Sequence, residues 1–466
     1  MPKSGKQKSP DALVSSVAVR PGPTIFILLG LLVLAMLPGR AAEMYEQSPV
    51  NYSASKPNDA IARLQARLTN GVFKFVGSDR DVLASLLREL KVPVESQVMV
   101  FSKTSLQRSR INPDRPRALY FSDNCYVGWV PGGLLEVTTI DPVLGPIFYA
   151  FDPSAARSDA AHGFTRDNDC LRCHGGAFVR DIPGVFVRSM HVDASGEPLL
   201  RGGSEVVDFR TPFTNRWGGW YVTGRHGNVL HRGNVFSEEK GDELVADFKR
   251  GANLTDLSRF FDTGSYLTNG SDIVALLVLE HQTAMQNTIT RAGMNCRRML
   301  EYQKALQRDL KETSPEELAY DSVRSVFDGA VKDVVDDLLF FDEAVLPAGL
   351  QGSPAFQKAF QQNARRVNGA SLKDFSLKGR LFSNRCSYLI YSDSFLALPP
   401  ELRKRIYVRL EQILTGNKAE SRYAYLDLKE RTRIVNILRE THPDFRKFLA
   451  ANATPAASSA ARRERP

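Results

Sequence analysis

The sequence predicts an α+β fold, and three observations carry that expectation. Between about Gln97 and Phe151 the chain runs through five short β-type stretches, VMVF at 98–101, ALYF at 118–121, YVGWV at 126–130, LLEVTTI at 134–140 and IFYAF at 147–151. Gly, Pro, Asn and Asp separate them, as hairpin connections require. β-type segments resume at Val185–Val192 and Gly219–Thr223, and beyond about Val245 the apolar spacing becomes helical. A chain of 466 residues exceeds one ordinary core. The expected organisation is therefore a β-rich domain over 44–245, a helical domain over 246–450 and a disordered Ala/Ser/Arg-rich tail over 451–466.

Taken in order, Asn58–Leu68 and Asp79–Leu90 have helical spacing, through Ile61 and Leu64 and then Val82, Leu83, Leu86, Leu87 and Leu90. Gly227-Asn228 marks a tight hairpin turn leading into Val229–His231, because such turns need residues that tolerate positive φ. Ser271–Leu310 reads as one long helix or as two broken at Gly293. Near the end, Pro399-Pro400 starts a helix whose stripe is Leu402, Ile406, Leu410, Ile413 and Leu414, with Gly416 as its stop. Asp427 and Glu430 form a capping-box-like start for another helix, which ends before Pro443.

The N-terminus differs in character. Lys3, Lys6, Lys8 and Arg20 precede an unbroken apolar run from Thr24 to Leu37, bounded by Pro23 and Pro38. The run has the length of a signal-peptide core and falls short of the roughly 20 residues that span a bilayer. Gly39 and Ala41 suit cleavage before Ala42. The expectation is a signal peptide over 1–41 or, if uncleaved, an N-terminal anchor providing the chain's membrane contact. Either way the remainder is exported, to the periplasm.

The net charge of +9 says less than it suggests. Residues 1–41 carry five Lys/Arg and one Asp, so the rest of the chain is only +5. No Lys/Arg stripe of the kind nucleic acids require is present, which excludes nucleic acid as an expected partner.

Five cysteines occur: Cys125, Cys170, Cys173, Cys296 and Cys386. Two of them form the one constellation of high specificity, Cys170-Leu171-Arg172-Cys173-His174. A thiol can add across a haem vinyl group, forming a carbon–sulfur and a carbon–hydrogen bond, and a two-residue spacer matches the separation of the two vinyls. The tether then carries the next side chain beneath the iron. Cys170 and Cys173 are the expected thioether positions of one covalent haem c, with His174 as proximal iron ligand. The other three cysteines allow one intramolecular disulfide at most. Three other readings compete: a zinc site, a redox-active dithiol and a Cys170–Cys173 disulfide. The zinc site lacks a second Cys/His pair. The dithiol leaves His174 unexplained, and the disulfide would close a very small, strained loop.

The motif resembles that of c-type cytochromes, and the wider chain is similar to large exported bacterial proteins with a single such motif. The resemblance implies haem-based electron transfer. It does not extend to the small all-helical cytochrome c fold, because Gly175-Gly176 weakens any continuing helix and strands follow.

The sixth iron ligand decides between chemistries, since Met or His suits electron transfer and an open position suits ligand binding or catalysis. His231 is the leading candidate, with His226 and Met190 as alternatives. His191 and His162 also lie near the motif. Met190 and His191 are consecutive on a strand, so at most one faces the haem. Arg188, Arg201, Arg210, Arg216, Arg225 and Arg232 are either propionate partners or a solvated face, whereas Trp217 and Trp220 read as packing residues. Glu280-His281 and the run Asp333, Asp336, Asp337, Asp342 and Glu343 lack the Glu-x-x-His spacing of a di-iron helical site and read as solvated helix faces. The leading expected function is one-electron transfer with an unidentified redox partner protein. The alternatives are a haem-dependent oxidoreductase with an open distal site and a haem-based sensor or interaction module.

Overall fold

A computed structural model describes residues 43–158, 163–313 and 317–452. The segment over 1–41 expected to be a signal peptide or anchor, His162 and residues 453–466 lie outside them. The fold is α+β. In chain order, helices α1 (Ala60–Thr69) and α2 (Asp79–Glu89) precede strands β1 (Val98–Val100), β2 (Arg117–Ser122), β3 (Cys125–Trp129), β4 (Leu135–Asp141) and β5 (Gly145–Phe151). Then come α3 (Pro153–Ser158), β6 (Thr165–Arg166), the single turn α4 (Leu171–His174), β7 (Val187–Met190), β8 (Ser204–Val207), β9 (Trp220–Tyr221), β10 (Ser237–Lys240) and β11 (Glu243–Ala246). The rest is helical: α5 (Ile273–Leu310), α6 (Asp321–Leu338), α7 (Pro354–Gln361), α8 (Asp393–Leu396), α9 (Pro400–Thr415), α10 (Leu428–Thr441) and α11 (Pro443–Asn452).

Seven antiparallel strands make the main sheet, in the order β6-β5-β4-β3-β2-β1-β9. Side chains alternate between its faces. Ala118, Tyr120, Cys125, Val127, Leu135, Val137, Ile147 and Tyr149 share a core with Ile61, Leu64, Val82 and Leu86 of the first two helices. Val98, Val100 and Phe121 point the other way and join a cluster with α5, α6 and α9. The described residues from Met44 onward form one compact unit. The boundary expected near 245 therefore crosses a shared hydrophobic cluster, because α5 packs on the sheet itself.

The structure differs from the sequence expectation in two further places, and for Ser271–Leu310 it selects the single helix of the two readings. The hairpin expected around Gly227-Asn228 does not form, and Trp220 and Tyr221 instead pair with Val100 and Met99 of β1. The Asn234 side chain takes the place of a return strand, accepting from Val222 N–H at 2.7 Å and donating to its carbonyl at 2.8 Å. Gly293 does not break the long helix. It is buried where Leu398 approaches, and packing there outweighs its helix penalty of about 1 kcal/mol. Of the acidic and histidine positions read as solvated, Glu280, His281, Asp336 and Asp337 are buried, Asp333 and Glu343 are partly buried, and Asp342 is exposed as expected. Glu280 accepts from Arg216 at 2.6 Å and from the Trp217 indole at 2.5 Å. Asp336 is held by Arg422 and Tyr423, and Asp337 by Arg210 and Thr288. Among the described residues no helix is long and apolar enough to cross a membrane.

Candidate haem-attachment site

The motif lies just after the edge of the sheet. β6 pairs with Tyr149 and Ala150 of β5, and Asp167 then caps a 3-10 turn over Asn168–Cys170 by accepting from the Asp169 amide at 2.9 Å. That turn runs directly into α4, whose single turn ends at Gly175. A Cβ on Gly175 would lie 2.8 Å from both the Leu171 carbonyl oxygen and the Tyr45 hydroxyl, so only glycine fits this stop without displacement. The weakening expected from Gly175-Gly176 is realised as a termination.

All five cysteines are free thiols. Cys125, Cys296 and Cys386 are buried, and burial pushes Cys296 and Cys386 up to about 12. Cys170 is half-buried, and burial together with the Asp167 and Glu136 carboxylates raises it to about 12. Cys173 is exposed. Among the described residues no three His, Cys, Asp or Glu side chains converge to hold a metal ion, so Cys170, Cys173 and His174 do not form a zinc-like cluster.

The His174 ring lies between Phe148 of β5 and Phe186, with centroids at 5.0 and 4.8 Å. Its Nδ1 is 2.8 Å from the Gly184 carbonyl oxygen. A carbonyl only accepts, so Nδ1 carries the proton and Nε2 keeps its lone pair. Burial, and then Arg117, hold the ring below the ordinary histidine range, which keeps it neutral, and the bond to Gly184 opposes them. Gly184 also donates its amide to the His174 carbonyl at 2.8 Å. The loop that brings Gly184 back turns through two left-handed residues, Arg180 and Asp181. It is pinned from the long helix by Asn287, whose amide accepts from Val185 N–H at 3.0 Å and donates to its carbonyl at 2.7 Å.

These residues fit a tethered haem in donor chemistry: two free thiols at the right spacing and a neutral imidazole with one committed and one uncommitted nitrogen. Space is distributed between two voids. A cavity of about 100 Å³ touches His174, Arg117, Glu136, Phe186 and Trp220. It shares Val185, Phe186 and Thr283 with a groove of about 350 Å³ that reaches Phe178, Arg180 and Arg291. Ligand sites typically occupy about 300–1,000 Å³, more than the cavity offers by itself, and neither Cys170 nor Cys173 lines either void.

The sixth-ligand candidates sit elsewhere. His226 donates from Nδ1 to the Val229 carbonyl at 2.7 Å and accepts at Nε2 from the Asn253 amide at 2.9 Å. His231 accepts at Nδ1 from the Gly233 amide at 3.0 Å, packed against Trp217 and His226. A neutral imidazole has one in-plane lone pair, and in both rings it is already used. Met190 is packed in the core between sheet and N-terminal helices. His191 bonds Ser237 at 2.8 Å. None of the four lines the cavity at His174. Of the arginines, Arg188 lies over the Phe178 ring. Arg216 is sequestered with Glu280, and Arg210 with Asp337 and Asp208.

No family model, curated protein or solved structure matches this chain.

The residues that position the motif were not singled out from sequence. Gly184 follows a proline in an obvious turn, Asp181-Ile182-Pro183-Gly184, and that was its only signal. Asn287 stands in a helix otherwise read by its apolar spacing, more than a hundred residues from His174.

Proposed function

We propose that this chain is an exported mono-haem protein of c type, with haem joined to Cys170 and Cys173, His174 binding the iron, and one-electron transfer to a partner protein as its function. The observation that carries this reading is the Nδ1–H bond from His174 to Gly184, which sets the tautomer and leaves Nε2 for a metal. Haem bound there would supply a one-electron Fe(III)/Fe(II) couple. The chain's own part is to orient the imidazole between Phe148 and Phe186, keep it neutral, and present Cys173 and Cys170 on one turn. The apolar run at Thr24–Leu37 supports export to the periplasm, where such attachment is made in bacteria.

A second reading is favoured by a specific observation. The lone pairs of His226 and His231 are engaged by backbone amides, which supports an iron with an exchangeable sixth position, as an oxidoreductase or sensor needs. Optical spectra of protein matured with haem, oxidised and reduced, with and without carbon monoxide, separate the two. A low-spin spectrum unmoved by carbon monoxide supports the carrier. A reduced form that binds it readily supports the oxidoreductase or sensor.

A further inference from the structure

On the sheet face below the motif, three neighbouring strands build one charged device. Arg117 stands on β2, Glu136 on β4, and Gly128 between them on β3, opposite both Leu119 and Glu136 in register. A Cβ on Gly128 would lie 2.2 Å from a terminal guanidinium nitrogen of Arg117. The glycine is thus the space through which Arg117 crosses the middle strand, and its Nη2 reaches Glu136 at 2.5 Å. Both side chains are largely sheltered, at 19% and 22% exposure, and both line the cavity with His174. The Arg117 Nε is buried without a hydrogen-bond partner, an arrangement that favours little stability, because a sheltered ion pair with an unmet donor barely offsets its desolvation.

We propose that the Arg117–Glu136 pair sets the reduction potential of an iron held by His174. The inference rests on the haem reading above. Ferric haem carries one more positive charge than ferrous haem, so a nearby cation favours reduction and a nearby carboxylate favours oxidation. Intact, the two charges largely cancel. Removing one leaves the other unopposed in a poorly screened position.

The test is potentiometric titration of haem-loaded full-length protein and of Arg117→Gln, Glu136→Gln and the double variant. Glu136→Gln raises the potential and Arg117→Gln lowers it, each by roughly a tenfold change in the Fe(III)/Fe(II) equilibrium, about 59 mV for one electron. The double variant returns close to wild type, a cancellation that a merely structural role would not produce. If Arg117→Gln does not fold, Arg117→Lys, which keeps the charge, stays near the wild-type potential while Glu136→Gln still rises. Potentials that do not move, or that move in the same direction in both single variants, overturn the proposal alone. Wild-type protein without covalent haem overturns the reading beneath it as well.

Discussion

His174 and Gly184 hold each other through two hydrogen bonds of 2.8 Å, one from the imidazole Nδ1–H to the glycine carbonyl and one from the glycine amide to the histidine carbonyl. This reciprocal pairing fixes both the backbone and the ring of the residue expected to bind iron. It also explains what the long helix contributes, since Asn287 on α5 clamps Val185, the next residue along.

Asn287→Ala removes both bonds of that clamp and leaves a buried amide and carbonyl without partners. Stability should fall by about 1–3 kcal/mol, read by urea denaturation. Asn287→Asp can still accept from the Val185 amide but cannot donate to its carbonyl, so it should recover only part of the loss. Equal stability in wild type and Asn287→Ala would show that the clamp does not hold the loop.

His231 is bound into an aromatic cluster with Phe213, Trp217 and His226. His231→Ala should therefore act on stability, by about 2–4 kcal/mol as other large-to-small core changes do, and leave the haem absorption spectrum unchanged. A switch from low-spin to high-spin iron in this variant would instead restore His231 as the sixth ligand.

His281 gives a pH dependence of definite sign. Its ring is buried, stacked on Phe340 at 4.1 Å and bonded to Ser387 at 2.8 Å. Burial, and then Arg210, push it down to about 3. The unfolded chain takes up a proton at this residue near pH 6.5 while the folded chain refuses it, so its contribution to stability is lost as pH falls from about 6.5 towards 3. The stability advantage of wild type over His281→Asn should shrink by about 1.4 kcal/mol per pH unit between pH 6 and 4. A difference independent of pH across that range would mean that His281 is protonated as readily in the folded state.

Before haem is attached, the two motif thiols differ in access. Cys173 is exposed and Cys170 half-buried, so iodoacetamide at neutral pH should modify Cys173 first, and the three buried cysteines only on unfolding. Peptide mapping over time reads the order. Faster modification of Cys170 would show that the turn over 168–174 opens in solution.

The fold class was legible because the strands carry their own signal. All five runs between 98 and 151 became strands, with ends shifted by a residue or two. The stripe of Leu402, Ile406, Leu410, Ile413 and Leu414 is buried as its spacing required. Local patterns could not show that Asn234 would replace a return strand, or that Glu280 and Arg216, 64 residues apart, would be buried as a pair. The site divided in the same way. Cys170, Cys173 and His174 are contiguous and readable, whereas Gly184, Asn287, Arg117 and Glu136 reach them only through tertiary contacts. The preference for His231 and His226 depends on their nearness in sequence to the motif and on a hairpin at Gly227-Asn228 that does not form, and neither signal shows the amides that occupy them.

The central claim is covalent attachment, and peptide mass spectrometry tests it most directly. Protein produced with active cytochrome c maturation machinery should yield a peptide containing Cys170 and Cys173 that carries the mass of one haem. The haem colour should stay with the chain through denaturing electrophoresis and be lost from the Cys170→Ala, Cys173→Ala double variant. Recovery of that peptide with both thiols unmodified, from cells that mature other c-type proteins normally, would contradict the account.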